Sequence, residues 1–197
     1  MKYISTIIFF SGLLTFIFFG EGEIHSKNKI DSINESSIVN TVIDQYKGVK
    51  IYLNGSISKN HGRNLTKDGY NLGLKWQCVE FVKRFYFLNY KHKMPDTYGH
   101  AKDFFDKNVK SGWNSRRAMT QYVNGSKKSP KVDMILVFDR NNLNPFGHIA
   151  IISEVKRESI TIAQQNWGTQ TRMQLPIKVN NNQYFIDHPD VLGWLSL

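Results

Sequence analysis

The sequence predicts an α+β fold, in which helices pack on one side of an antiparallel β-sheet. Within Gly73–Tyr90 (GLKWQCVEFVKRFYFLNY), apolar residues recur every three or four positions after Cys78, as in an amphipathic helix. The last third of the chain contains short β-branched runs separated by polar, Gly or Pro breaks, which is typical of strands. A helix that precedes a series of strands indicates an α+β domain and not alternating βα units.

Composition and charge restrict the possible partners. A chain of 197 residues with 41% hydrophobic and 13% aromatic residues suits one globular domain. The net charge of +10 favours polyanions such as anionic cell-envelope polymers. Nucleic acid is not expected, because the basic residues are scattered and not interleaved with aromatics. One cysteine excludes an intramolecular disulfide and a Cys-rich zinc site, and no Asp-rich calcium loop is present, so we expect no metal and no cofactor.

Residues 1–22 have the pattern of a signal peptide. Lys2 precedes an uncharged stretch rich in Ile, Leu and Phe, and Gly20 and Gly22 suit a signal peptidase. An uncleaved N-terminal anchor is the alternative, although the stretch is slightly shorter than the ~20 apolar residues that span a bilayer. We therefore expect a secreted or periplasmic protein that contacts membrane only through this segment, if it is uncleaved. Residues 23–45 form a polar lead-in, and residues 46–197 form the folded domain.

The elements of the domain follow in chain order. Val39–Tyr46 suits a short helix, Gly48–Asn54 a strand, and the Gly-, Asn- and Lys-rich residues up to Tyr70 a long loop. After the cysteine helix, Ala101–Lys110 is a second amphipathic segment. Four strands are expected in the last third of the chain: Val132–Phe138, His148–Val155, Ser159–Gln165 and Gln174–Val179.

Cys78 is the candidate nucleophile. It follows Trp76-Gln77 at the expected start of the helix, where the helix dipole and unpaired amides favour a thiolate. The alternative is a structural cysteine, since free Cys is among the most buried residue types. The main-chain amide of Cys78 and the side chain of Gln77 are candidate donors to the oxyanion of an acyl-transfer intermediate.

His148 is the candidate base. Of six histidines it alone opens an apolar strand, and the preceding Gly147 allows close approach by a neighbour. If opposed residues in the next hairpin sum to 312 (148 + 164), Gln164 faces His148; with a sum of 313, Gln165 does. A carbonyl oxygen there would accept the Nδ1 proton and leave Nε2 for the sulfur. A structural histidine, and a glutamine that only caps the strand edge, are the alternatives.

Four motifs in this order, WQCVEF, GHIAIISEV, IAQQNW and VLGWL, resemble the CHAP superfamily of cysteine amidases and peptidases. Within it, Tyr46–Leu197 is similar to the amidase domain of the bifunctional glutathionylspermidine synthetase/amidases. The resemblance implies a papain-like fold of the NlpC/P60-CHAP type, with Cys78 as nucleophile and His148 as base. The third catalytic position, a glutamate in the amidases, is occupied here by Gln164.

The resemblance also implies four substrate-binding residues. The substrate-side arginine of the family, five residues after the cysteine, is matched by Lys83, and Arg84 follows it. Asn166 and Trp167, which close the IAQQNW motif, are expected to contact substrate as well.

These observations predict an exported cysteine amidase or peptidase that hydrolyses an amide bond through a thioester in peptidoglycan peptides. Its expected partner is a peptide or a peptide–amine conjugate. One alternative is a glutathionylspermidine amidase-like hydrolase, although the expected cytosolic, cationic substrate disagrees with the N-terminal segment and the basic charge. A non-catalytic CHAP-fold binding module is the other, and Gln164 in place of glutamate is its only indication.

Overall fold

A computed structural model describes residues 40–197 of the chain. The predicted signal peptide or anchor and residues 23–39 of the polar lead-in lie outside the described residues. In residues 40–197 the fold is mostly β-sheet with one α-helix, α1 (Cys78–Tyr90), and a short 3-10 helix at Ala101–Phe104. The strands are β1 (Val42–Tyr46), β2 (Val49–Tyr52), β3 (Arg63–Leu65), β4 (Asn71–Leu74), β5 (Gly112–Asn114), β6 (Met119–Val123), β7 (Ile135–Phe138), β8 (His148–Val155), β9 (Ser159–Ala163), β10 (Arg172–Asn180), β11 (Gln183–Ile186) and β12 (Val191–Ser196).

Eight strands form one antiparallel sheet in the order β11-β10-β9-β8-β7-β12-β6-β5. Two separate hairpins, β1-β2 and β3-β4, precede the helix. Ser126, just after β6, forms an antiparallel bridge with Tyr184 of the edge strand β11. The large sheet therefore curls until one edge nearly meets the far side, and apolar side chains are buried on both of its faces.

Helix α1 covers one face of this sheet. Phe81 and Phe85 of α1 are fully buried in the same core cluster as Ile149 and Ile151 of β8. Their neighbours on β8, including Ala150, point to the opposite face, where Trp194 is the largest buried side chain. This alternation follows from the two-residue period of a strand. Because α1 packs on β8, the first residue of the helix lies close to the start of that strand.

The helix expected after Trp76-Gln77 is confirmed as Cys78–Tyr90, the strand His148–Val155 is confirmed, and Gly48–Asn54 contains β2 as expected. The predicted helix Val39–Tyr46 is wrong, because Val42–Tyr46 is strand β1 paired with β2. The physical reason is the turn Lys47-Gly48, in which both residues have positive φ (46° and 75°). A two-residue turn of this kind matches the twist of paired strands and closes a hairpin.

Other predicted boundaries also change. Only Ala101–Phe104 of the segment Ala101–Lys110 is helical, as a single 3-10 turn. The expected loop before Tyr70 contains strand β3, and five further strands of the described residues were not predicted: β4, β5, β6, β11 and β12. β4, β5, β6 and β11 are only three to five residues long, and β12 (VLGWLS) does not alternate apolar with polar residues, so the two-residue period is weak in their sequences.

Candidate active site

A cavity of about 430 Å³ opens beside the start of α1. Its walls come from the hairpin β3-β4, from residues 57–58, 97–101 and 144–148, and from Asn166. Cys78 and His148 both line it, and so does Gln77. The packing of α1 on β8 thus brings together two residues that are seventy positions apart in sequence. A concave, largely apolar cavity with a few convergent polar groups is the usual form of a small-molecule or peptide site.

Cys78 is the first residue of α1, and its side chain is 8% exposed. Burial raises the pKa of the Cys78 thiol to about 11, and the main-chain amides of Ile149 and Val79 lower it only in part. The expectation that the helix start makes this sulfur more acidic is therefore wrong for the free protein. Desolvation of the thiolate outweighs the favourable field at the helix start.

His148 is the first residue of β8 and is buried. Its Nε2 lies 3.0 Å from Oε1 of Gln164. The amide of Gln164 is held in this orientation because its Nε2 donates to the main-chain oxygen of Gln170 at 3.0 Å. The carbonyl oxygen facing the ring can only accept, so Nε2 of His148 carries the proton and Nδ1 is the free, basic nitrogen. Burial lowers the pKa of His148 to about 4, although the bond to Gln164 opposes this effect.

The contact between His148 and Gln164 arises differently from the expected register. Opposed residues in β8-β9 sum to 314 at Ile151↔Ala163 and Ile152↔Ile162, so neither 312 nor 313 applies. Gln164 follows the end of β9 and reaches the ring diagonally, which a long side chain can do from two positions along a strand. The ring nitrogens are also exchanged relative to the expectation, since Nε2 and not Nδ1 contacts Gln164.

Gly147 positions His148. Its φ is +72°, and a Cβ added there would lie 2.6 Å from the main-chain oxygen of Phe138. That distance is far below a van der Waals contact, so only glycine fits this approach between two chain segments. The expectation that this glycine permits close approach by a neighbour is confirmed.

Gln77 and Asn166 form a polar link beside the cysteine. Nδ2 of Asn166 donates to Oε1 of Gln77 at 2.5 Å, and Nδ2 of Asn54 donates to Oδ1 of Asn166 at 3.0 Å. Nε2 of Gln77 donates to the main-chain oxygens of Ile57 and Lys59, at 3.2 and 2.9 Å. Both amide hydrogens of Gln77 are thus engaged by the loop that follows β2.

The structure does not bring Lys83 or Arg84 to the cavity, which corrects the expectation that they bind substrate. Lys83 is 1% exposed, and its Nζ donates to the main-chain oxygens of Asn71 and Thr97. Burial lowers the pKa of Lys83 to about 8. Arg84 donates its Nε to the Glu80 carboxylate at 2.6 Å. These two side chains support the walls of the site instead of facing its interior.

Trp167 lies next to the imidazole of His148. Its ring centroid is 4.9 Å from that of His148, and its side chain is 38% exposed. It lines a second, much smaller cavity together with Gln164, and does not line the large cavity.

Several supporting residues were not predicted. Glu80 is fully buried and accepts bonds from Asn64, Arg84 and Gln165, at 2.7, 2.6 and 2.9 Å. Nε2 of Gln165 also donates to the main-chain oxygen of Gln77 at 3.0 Å. A carboxylate among the apolar residues of α1 is the signal that could have identified this network, because a buried charge needs partners.

Residues 40–197 contain neither a cluster of metal-binding side chains nor a membrane-spanning helix. No group of three or more His, Cys, Asp or Glu side chains there is arranged to hold a metal ion. None of the helices in that range has the length and apolar composition needed to cross a membrane.

Known proteins match the region that contains this site. The bifunctional glutathionylspermidine synthetase/amidase of Escherichia coli (strain K12) is 33% identical over 147 residues, which cover 68% of this chain and 23% of that protein. Trypanothione synthetase of Crithidia fasciculata is 30% identical over 148 residues, with 68% and 23% covered. The chain therefore spans less than a quarter of the length of these relatives.

Among solved structures, that of Ly7917 is 22% identical and covers 50% of this chain and 38% of its own, with a TM-score of 0.31. A TM-score this low supports no argument about fold or function. The CHAP domain family matches residues 68–166, which are half of the chain and include Cys78, His148 and Gln164. The chain belongs to the CHAP domain family.

Proposed function

We propose that this protein is a cysteine amidohydrolase in which Cys78 is the nucleophile and His148 is the general base. Membership of the CHAP family and the similarity to glutathionylspermidine amidases support a hydrolase that acts on amide bonds. The observation that carries the cysteine mechanism is the pairing of His148 with Gln164. This pairing holds the protonated Nε2 at 3.0 Å from the amide oxygen and leaves Nδ1 free in a cavity that Cys78 also lines.

The two groups rest as a neutral thiol and a neutral imidazole at neutral pH, because the pKa of Cys78 is about 11 and that of His148 about 4. We infer that the proton moves to Nδ1 as the sulfur attacks the substrate carbonyl, so that no buried ion pair has to form beforehand. The imidazolium then protonates the departing amine, and the C–N bond breaks. Water, deprotonated by the same nitrogen, hydrolyses the thioester and releases the acid and the free thiol.

The oxyanion needs donors at the start of α1. The main-chain amide of Cys78 is available there, because the first amides of a helix have no partner within it. Gln77 can contribute a second hydrogen only by giving up one of its bonds, to Ile57 or to Lys59. A donor of this kind is worth roughly 10²- to 10³-fold in rate. Gln164 orients the ring as a neutral acceptor, in the way that an asparagine does in papain-like proteases.

For the substrate, we propose an amide bond in peptidoglycan peptides, cleaved by an exported enzyme that is secreted or periplasmic. The signal-like residues 1–22 and the charge of +10 support this, since a basic exported protein concentrates on an anionic cell envelope. We also propose that the fold is of the papain-like type, to which the single helix packed on an antiparallel sheet conforms.

A glutathionylspermidine amidase-like activity is the second candidate, because the relative from Escherichia coli carries that activity in its name. The polyamine of such a substrate is cationic, and no Asp or Glu lines the cavity. We therefore rank it below the peptidoglycan peptide.

The full chain is incubated separately with purified peptidoglycan and with glutathionylspermidine, beside a Cys78→Ala control. Mass spectrometry identifies the released fragments. We expect new amine and carboxyl termini from peptidoglycan with the wild type and none with the variant. Release from glutathionylspermidine alone would replace the first candidate by the second. Release from neither would refute the hydrolase proposal and favour a binding module.

A further inference from the structure

The side chains that line the large cavity include a positive charge and no negative one. Arg63 lines it and contributes a permanent positive charge. No Asp or Glu side chain is among the residues that line it, and every one of these residues lies in the described range 40–197. Arg63 is an exposed residue, so its guanidinium is reachable from solvent as well as from the cavity, and no carboxylate of the lining competes with an incoming one.

Arg63 is held in place without being neutralised. It opens β3, where it is paired with Leu74 of β4, four residues before Cys78. Its guanidinium lies over the ring of Tyr98, 5.3 Å from the centroid, and Nη1 donates to Oδ1 of Asn71 at 3.3 Å. One of its five N–H groups is therefore engaged, and the guanidinium forms no salt bridge within residues 40–197.

The carboxylates of the surrounding elements are committed elsewhere. Glu80 of α1 pairs with Arg84, and Asp96 pairs with Arg116 at 2.7 Å. Asp103 accepts a bond from the main-chain amide of His100 at 2.8 Å and so caps the 3-10 helix. None of them is free to turn toward Arg63 without breaking a bond that stabilises the cavity wall.

We propose that Arg63 binds a free carboxylate of the substrate and so selects anionic peptides. The planar guanidinium suits a bidentate contact with a carboxylate, and the ring of Tyr98 keeps it in the required orientation. Arg63 pairs with Leu74, and Leu74 is four positions before Cys78 in the chain, so this subsite lies within about 14 Å of chain from the nucleophile. At about 3.5 Å per extended residue, the carboxylate therefore belongs to a residue within about four positions of the scissile bond. This inference rests on the proposed function and adds the substrate class.

Two pairs of probes test it, each differing only at one carboxylate. The first pair is the stem peptide L-Ala-γ-D-Glu-L-Lys with the α-carboxylate of its glutamate free or amidated. The second is glutathionylspermidine with its glutamyl α-carboxylate free or amidated. For the pair that is cleaved, we expect the wild type to prefer the free carboxylate by roughly 10- to 100-fold in kcat/KM, as bonds to a charged group allow. Arg63→Gln should abolish this preference, and Arg63→Lys should retain part of it.

The control is Arg157→Gln, which removes the same charge from the exposed turn at the far end of β8. It should leave the preference unchanged. If Arg63→Gln lowers kcat/KM equally for the free and the amidated probe, the proposal is overturned. It is also overturned if the wild type cleaves the two probes equally well.

Binding separates this inference from the proposed chemistry. The Cys78→Ala variant, with and without Arg63→Gln, is titrated with both pairs of probes by calorimetry. Suppose that the wild type cleaves neither pair of probes while Cys78→Ala binds the free carboxylate more tightly than the amide, and that this difference disappears with Arg63→Gln. That outcome would refute the hydrolase and retain the subsite. Equal binding of the free and amidated forms in both variants would refute the subsite whatever the hydrolysis assay gives.

Discussion

Replacing Gln164 by Glu tests whether this residue orients His148, the proposed catalytic base. The substitution keeps the side-chain length and places a carboxylate where Oε1 now lies, 3.0 Å from Nε2 of His148. The second oxygen of the carboxylate replaces Nε2 of Gln164, which donates to the main-chain oxygen of Gln170 at 3.0 Å. The variant therefore gains a charge beside the ring and loses a hydrogen bond on its other side.

The two effects have different sizes and different readouts. A carboxylate in contact with an imidazole raises its pKa by up to a few pH units, so the pKa of His148 should rise from about 4 to roughly 5–7. The acid limb of kcat/KM should move upward with it, and the rate at pH 8 should increase because the base is stronger. Two facing oxygens and a buried charge should lower the free energy of unfolding by about 1–3 kcal/mol.

The assay is the pH profile of kcat/KM on the cleaved probe, measured with denaturant unfolding of the same samples. Gln174→Glu is the matched control, because it makes the same substitution at an exposed position of β10. It should leave the profile unchanged. If Gln164→Glu loses stability while the acid limb stays in place and the rate at pH 8 does not rise, Gln164 does not orient His148.

Three further outcomes are expected. Gly147→Ala should lower the free energy of unfolding by about 2–4 kcal/mol and remove most of the activity, since the added Cβ would lie 2.6 Å from the main-chain oxygen of Phe138. Gly69 has a similar φ of +80° but open space around it, so Gly69→Ala should lower the free energy of unfolding by only about 1 kcal/mol. Urea unfolding measures both changes. Lys83→Met should raise KM more than it lowers kcat, because the main-chain oxygen of Thr97 in the cavity wall loses its bond to the ammonium. A fall in kcat as large as the rise in KM would contradict a role of Lys83 in positioning the wall. Folding lowers the pKa of His148, so between about pH 6.5 and pH 4 the unfolded chain binds a proton that the folded protein does not, and stability is lost as the pH falls through that window. Relative to His148→Gln, the wild type should lose about 3 kcal/mol of unfolding free energy between pH 8 and pH 4. A difference between the two proteins that stays constant with pH would refute the lowered pKa.

Local patterns in the sequence were sufficient for the central elements. The three- and four-residue spacing after Cys78 gave the helix, and the apolar run from His148 gave the strand with its bounds intact. Local patterns were insufficient where a tertiary contact decides the outcome. Val42–Tyr46 is a strand because the turn Lys47-Gly48 pairs it with β2, and a short mixed sequence does not reveal that partner.

For the candidate site, too, some features could be predicted from the sequence and others depend on tertiary contacts. The residues that we propose as catalytic could be chosen from residue type and order, but their ionisation could not be predicted in this way. The start of a helix favours a thiolate, whereas the depth of burial that raises the pKa of Cys78 is set by β8, seventy residues later in the chain. Lys83 shows the same limit. Its position relative to the cysteine suggested a substrate contact, and only the packing of α1 on Asn71 and Thr97 turns the ammonium away from the cavity.

The buried network around Glu80 explains how a site made from distant segments keeps its geometry. Gln165 donates to the Glu80 carboxylate and to the main-chain oxygen of Gln77, so the residue before the nucleophile is tied to the segment after β9. Gln164, which orients His148, is the preceding residue of that segment. The buried carboxylate of Glu80 therefore connects the segments that carry the two proposed catalytic residues, and removing it should misplace both. Glu80→Gln keeps the size and much of the hydrogen bonding, whereas Glu80→Ala leaves Asn64 and Gln165 without an acceptor, so activity should fall far more in the second variant.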